Sequence, residues 1–178
     1  TPHIEYYISK LGKEYNIAVV SRGYGRTTNG FRYVNPNDFA TEVGDEPLQI
    51  KQKFVTTVVA VCEERVTAIE KVLKEHPEIN LILLDDAFQH RYVRPSINIL
   101  LTEYSHPFWN DYVVPAGLLR EFRSGWKRAD LIIITKCPEN KNLKVPEYLR
   151  SIPVYYSKLV YNNPVSYTHL TLPTNREV

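Results

Sequence analysis

The sequence predicts an α/β fold, a mostly parallel sheet with helices on both faces. Three observations predict it. Apolar runs such as Asn16-Ile-Ala-Val-Val20, Leu81-Ile-Leu-Leu84 and Leu131-Ile-Ile-Ile134 are continuous rather than alternating, as strands buried on both faces are. Segments of helical period lie between these runs, the order expected of parallel strands with crossover helices. Two of the runs end in Ser21-Arg-Gly-Tyr-Gly-Arg26 and in Asp85-Asp86, polar turns at the carboxyl ends of strands, where such folds place their chemistry.

In chain order, residues 2 to 15 read as an amphipathic helix. Ile4, Tyr7, Ile8, Leu11 and Tyr15 recur at helical spacing, and Pro2 suits a first turn. A strand over 16–20 follows. Phe31 to Val34 reads as a short strand, and a short helix starts after Gly44-Asp-Glu-Pro47. Thr56 to Val61 is a β-branched strand. Glu63 to Glu75 is a helix with Val66, Ile69, Val72 and Leu73 on one face, and it stops at His76-Pro77. Strands are expected over 79–84, 97–101, 131–134 and 154–160.

Composition narrows the class. The 178 residues are 43% hydrophobic and 24% charged, a globular balance with room for one domain and part of another. A net charge of +2, with no basic stripe interleaved with aromatics, argues against a nucleic-acid partner. Cys62 and Cys137 fit no zinc or disulfide framework. No apolar run approaches the roughly 20 residues of a membrane span. The histidines His3, His76, His106 and His169 show no metal-ligand spacing, and no nucleophile elbow is present. Residues 165–178 have neither period nor place in the fold and read as a non-native or disordered tail, in the manner of translated read-through.

The chemistry-bearing motifs each have a plain and a functional reading. Adjacent Asp85 and Asp86 at a strand end either cap the following turn or hold Mg²⁺ carrying a nucleotide. Gly23 and Gly25 permit tight turns, Arg22 and Arg26 offer forked donors for phosphate, and Tyr24 offers a ring and hydroxyl to a sugar. Asp45 and Glu46 suit a helix start, and Asp45 equally suits a general base for a hydroxyl nucleophile. Arg120 and Glu121 form either a surface ion pair or a charge-stabilising pair for phosphoryl transfer.

Taken in order, these motifs resemble one family. Thr1-Pro2, Ser21-Arg-Gly-Tyr-Gly-Arg26, Gly44-Asp-Glu-Pro47, Asp85-Asp-Ala-Phe-Gln-His-Arg91, Pro115-Ala-Gly-Leu-Leu-Arg-Glu121 and Ala129-Asp130 with Thr135-Lys136 together resemble the tetraacyldisaccharide 4'-kinases, P-loop kinases of lipid A biosynthesis. The resemblance covers residues 1–164, expected to be a nucleotide-binding α/β kinase domain. It implies ATP and Mg²⁺ as cofactors. Thr1, Asp85 and Asp86 are then the metal-binding residues, with Gln89 and His90 lining the nucleotide site. Asp45 is implied as catalytic base, and Arg120 and Glu121 as residues of the transfer site. Arg22, Tyr24 and Glu46 are implied as acceptor contacts. The implied partner is a lipid A disaccharide precursor at the cytoplasmic face of the bacterial inner membrane, bound peripherally.

The sequence departs from that family pattern in three ways. The Gly-rich loop with its Lys, expected directly before Thr1, is missing, with its strand and the amino-terminal membrane-associating helix. The second half of the family's chain is missing. Ala87 stands where Gly is common. The 178 residues by themselves are therefore expected to be inactive. Two other readings compete: a non-catalytic nucleotide-binding module that lacks a P-loop, and a P-loop enzyme acting on a soluble alcohol.

Overall fold

The computed structural model describes residues 2–140, 143–158 and 160. Thr1 and the 165–178 tail lie outside the described residues. The chain divides into two compact units, Thr1–Asn98 and Ile99–Val178.

The first unit is built on a four-stranded sheet. Helix α1 (Pro2–Leu11) leads into β1 (Ile17–Ser21). Helix α1 ends four residues before the expected limit. Gly12 still bonds to the Ile8 carbonyl and Tyr15 to that of Leu11, so Tyr15 keeps its spacing within a closing turn. Strand β2 (Arg32–Tyr33) follows, then α2 (Ala40–Val43), α3 (Asp45–Lys53), β3 (Val58–Val61), α4 (Arg65–Glu75) and β4 (Leu81–Leu84). The sheet order is β2-β3-β1-β4. Strand β1 pairs parallel with β3 and β4, while β2 runs antiparallel to β3.

The two faces of this sheet bury different partners, because side chains alternate along a strand. Ile17, Val19, Val59 and Val61 pack with Ile8 of α1 and Ile50 of α3. Ala18 and Ala60 pack with Val72, and Val20 and Cys62 with Ala68, on the α4 side. All five residues of β1 are buried, which explains its uninterrupted apolar sequence. Strand β4 does not meet the expectation of a fully buried strand. Among the described residues it pairs only with β1, at the end of the strand order, and its four side chains are half-buried. Helix α4 also turns differently from expectation: Arg65, Ala68 and Val72 are its buried stripe, and Leu73 is exposed.

The second unit holds a three-stranded parallel sheet in the order β5 (Ile99–Glu103), β6 (Leu131–Thr135), β7 (Val154–Tyr156). Ile132 and Ile134 of β6 bury against Phe108, Trp109 and Leu149. Both sheets are mostly parallel and flanked by helices, as expected for the class.

Candidate active site

The carboxyl ends of β1, β3 and β4 lie side by side, and the sequence motifs begin there. Register sets Ser21 beside Val61 and Val20 beside Leu84. Two further bonds carry the ladder past the strand ends: Asp85 donates its N–H to the Val20 carbonyl, and Cys62 to that of Ser21. Arg22, Glu63 and Asp85 therefore leave one edge of one sheet together.

The turn after β1 packs onto the start of α3. Gly23 and Gly44 have φ of 70° and 91°, a region that disfavours side chains. A Cβ on Gly44 would stand 3.0 Å from Cα of Gly23, and one on Gly23 would stand 2.8 Å from the Val43 carbonyl oxygen. The Ser21–Arg26 and Gly44–Pro47 motifs thus meet backbone to backbone.

That contact aims the start of α3. Gly44 is the N-cap, no side chain caps the helix, and Asp45 is the first helical residue. The capping role open to Asp45 from sequence is thus filled by Gly44. Asp45 and Glu46 are exposed, while Pro47 is buried beneath them.

Electrostatics tie α3 to the end of β4. Asp85 is buried, and Asp86 is exposed. Burial pushes the Asp85 carboxyl above its usual range, and the charges of Glu46 and Asp86 push the same way. Glu46 therefore lies within electrostatic reach of Asp85. Asp86 has φ of 47°, a left-handed conformation that Asp tolerates better than most residues. Ala87 has no positive φ, so it needs no glycine.

Arg65 completes the sheet edge and was not singled out in the sequence. It is only 3% exposed, and its Nη1 donates to the carbonyls of Cys62 and Glu63 at 2.9 and 3.2 Å. Burial, then the nearby Arg22 cation, lower its pKa, while Asp86 opposes them. Arg22, Arg65 and Asp86 thus share one field. An arginine opening a helix reads in sequence as solvated, so only its burial distinguishes it.

Gln89 is exposed and His90 half-buried in the turn after β4. His90 donates its backbone N–H to the Ala87 carbonyl at 2.8 Å and meets Tyr92 edge to face. Tyr24 is 91% exposed at the tip of its turn. Arg120 and Glu121 lie in the second unit. There Glu121 accepts from Arg128 at 2.6 Å, and its carboxylate fills the space a Cβ on Gly125 would take.

The donor set suits Mg²⁺ with a nucleotide. Among the described residues no group of three or more His, Cys, Asp and Glu could hold a metal ion. Mg²⁺ needs no such cage, taking one or two carboxylates with phosphate and water oxygens. Asp85 and Asp86 are two carboxylates that could serve in this way, with the Arg22 cation in the same field as Asp86 and Arg65. Among the described residues no helix is long and apolar enough to cross a membrane.

The chain is similar to known proteins. The family model described as tetraacyldisaccharide-1-P 4'-kinase (LpxK) matches residues 1–176. The tetraacyldisaccharide 4'-kinase of Cytophaga hutchinsonii is 45% identical over 167 residues, covering 90% of this chain and 48% of that protein. That of Flavobacterium psychrophilum is 50% identical over 140 residues, covering 79% and 41%. A crystal structure of Aquifex aeolicus LpxK in complex with ATP superposes with a TM-score of 0.71 at 26% identity, covering 86% of this chain and 48% of that one. The chain spans about half the length of the curated relatives it matches. With the 21–26, 44–47 and 85–91 motifs grouped at one end of the first sheet and the family model matched over nearly the whole chain, the chain belongs to the tetraacyldisaccharide-1-P 4'-kinase family.

Proposed function

We propose that this chain carries the acceptor-side and metal-binding elements of an ATP-dependent lipid-sugar kinase. The reaction moves the γ-phosphate of ATP to the 4'-hydroxyl of a tetraacyldisaccharide 1-phosphate in lipid A biosynthesis. The observation that carries the reading is the packing of the turn bearing Arg22 and Tyr24 onto the start of α3, at the sheet end where Asp85 and Asp86 leave β4.

The roles follow from chemistry and, for Thr1, Arg120 and Glu121, from the family resemblance alone. Asp85 and Asp86 would hold Mg²⁺, which would supply positive charge against the negative charge of the transferring phosphoryl group. Thr1, Gln89 and His90 belong to the same nucleotide site. Asp45, exposed at the first turn of α3, takes the proton of the acceptor hydroxyl. Arg22, Tyr24 and Glu46 orient the sugar–phosphate headgroup, and Arg120 and Glu121 serve the transfer step. Residues 1–164 form the kinase domain, which works peripherally at the cytoplasmic face of the inner membrane without a nucleic-acid partner.

The test uses the full-length protein with γ-labelled ATP and Mg²⁺. Label is expected in a detergent-dispersed disaccharide 1-phosphate and not in water-soluble sugars. Equal transfer to soluble alcohols, or none to the lipid, overturns the reading.

A further inference from the structure

Arg26 sits beneath the acceptor-side turn and connects it to two other elements. Its side chain is 3% exposed. A Cβ on Gly23 would stand 2.7 Å from Arg26 Cδ, so the arginine stem forms the floor of the turn that presents Arg22 and Tyr24. Its Nη2 donates to the Gly30 carbonyl at 2.7 Å and pairs closely with Glu63. Its Nη1 donates to Thr28 Oγ1 at 3.3 Å. Glu63 Oε2 accepts the Gly30 N–H at 3.0 Å, which closes a ring of bonds at the end of β3.

The same network reaches the start of α3. Thr27 donates both its N–H and its hydroxyl to the Thr41 carbonyl, at 2.7 and 2.9 Å. Thr28 Oγ1 donates to the Glu42 carbonyl. Thr41 and Glu42 belong to α2, which ends one residue before Gly44. The connections therefore run from Glu63 through Arg26 and Thr28 to α2, and from α2 to Asp45.

An ion pair buried only on its Arg26 side is a weak way to gain stability, because desolvation and solvent screening offset most of its attraction. Its value lies in geometry: a forked guanidinium fixes several acceptors in one arrangement. Here it joins the carboxyl end of β3, the turn after β1 and the residues before α3. We propose that Arg26 and Glu63 are positioning residues. Their pair holds the Arg22–Tyr24 turn in register with Asp45, so that an acceptor sugar bound by the turn meets the base. This inference rests on the kinase reading above and adds the acceptor-positioning device to it.

The experiment is steady-state kinetics of the full-length enzyme, varying lipid acceptor and ATP separately. Glu63→Gln keeps the size but removes the charge and one acceptor. It is expected to raise the acceptor KM at least about fivefold while the ATP KM stays within about twofold. Arg26→Lys keeps the charge but loses the fork, and should fall between the two. Should Glu63→Gln melt below the assay temperature, Thr28→Val makes the same test without unpairing a charge.

A merely structural pair would reduce the fraction of active enzyme, lowering kcat with both KM values unmoved. That outcome, or a parallel rise in both KM values, overturns the proposal. No transfer by the unaltered enzyme fails the kinase reading itself. Transfer with an unchanged acceptor KM in Glu63→Gln and Arg26→Lys, or in Thr28→Val where it stands in, fails only the positioning role.

Discussion

Gly44 and Gly23 lie so close that a Cβ on the first would stand 3.0 Å from Cα of the second. This contact sets the distance between the turn of Arg22 and Tyr24 and the helix of Asp45. Gly44 also has φ 91° and ψ 150°, which only glycine adopts comfortably. Gly44→Ala is expected to cost about 1–3 kcal/mol of stability. It should also lower kcat/KM for the lipid acceptor by more than about tenfold, since small displacements of a reacting group are costly. Urea unfolding alongside steady-state kinetics checks both.

Asp45→Asn separates chemistry from structure. Asp45 is exposed and caps nothing, so the melting temperature should not move. Loss of a general base lowers kcat by about 100-fold or more. A variant retaining most of its kcat would remove Asp45 from the role of base.

Asp85→Asn should trade activity for stability. Burial, Glu46 and Asp86 hold the Asp85 carboxyl above its ordinary 3.8. The folded state thus binds this proton more tightly than the unfolded one. The group's contribution to stability is lost as pH rises from 3.8 through the folded value. At neutral pH the charge is a cost to the nucleotide-free protein, so Asp85→Asn should melt higher there and fail to transfer phosphate. Calorimetry without nucleotide checks the first outcome; a lower melting temperature would contradict it.

Glu63 titrates in the opposite sense. Burial raises its pKa, but its own backbone N–H, Arg26 and the Gly30 N–H outweigh that and hold it below 4.5. Its contribution is present above 4.5 and lost as pH falls through the folded value. The stability gap between the unaltered protein and Glu63→Gln should therefore be full near neutrality and close in acid. Urea unfolding across that range measures it.

The legible parts of the fold were those where burial is continuous. Strands β1 and β6 show as unbroken aliphatic runs because both of their faces are covered. Strand β4 has the same composition, yet among the described residues it has one neighbour and half-buried side chains. Helix α2 escaped notice because four residues carry no period. The division after Asn98 left no linker-like composition. Within the candidate site, Gly23, Gly44, Asp85 and Asp86 stood out because their residue types are costly outside a special setting. Arg65 and Glu63 did not, and Arg26 reads as a phosphate donor although its fork is spent on Glu63 and Gly30, because a charged residue next to a turn looks solvated until its partners are known.

The left-handed backbone at Asp86 decides which substitutions there can be interpreted. Asparagine and glycine enter that conformation at little cost, whereas alanine resists it. Replacing Asp86 with alanine would therefore mix a bent main chain with a lost carboxylate, and any deficit would be ambiguous. An Asn and Gly pair leaves the main chain at φ of 47° and varies only what hangs from it. Position 86 thus offers a built-in control, by which the contribution of a single negative charge can be weighed apart from the shape that presents it.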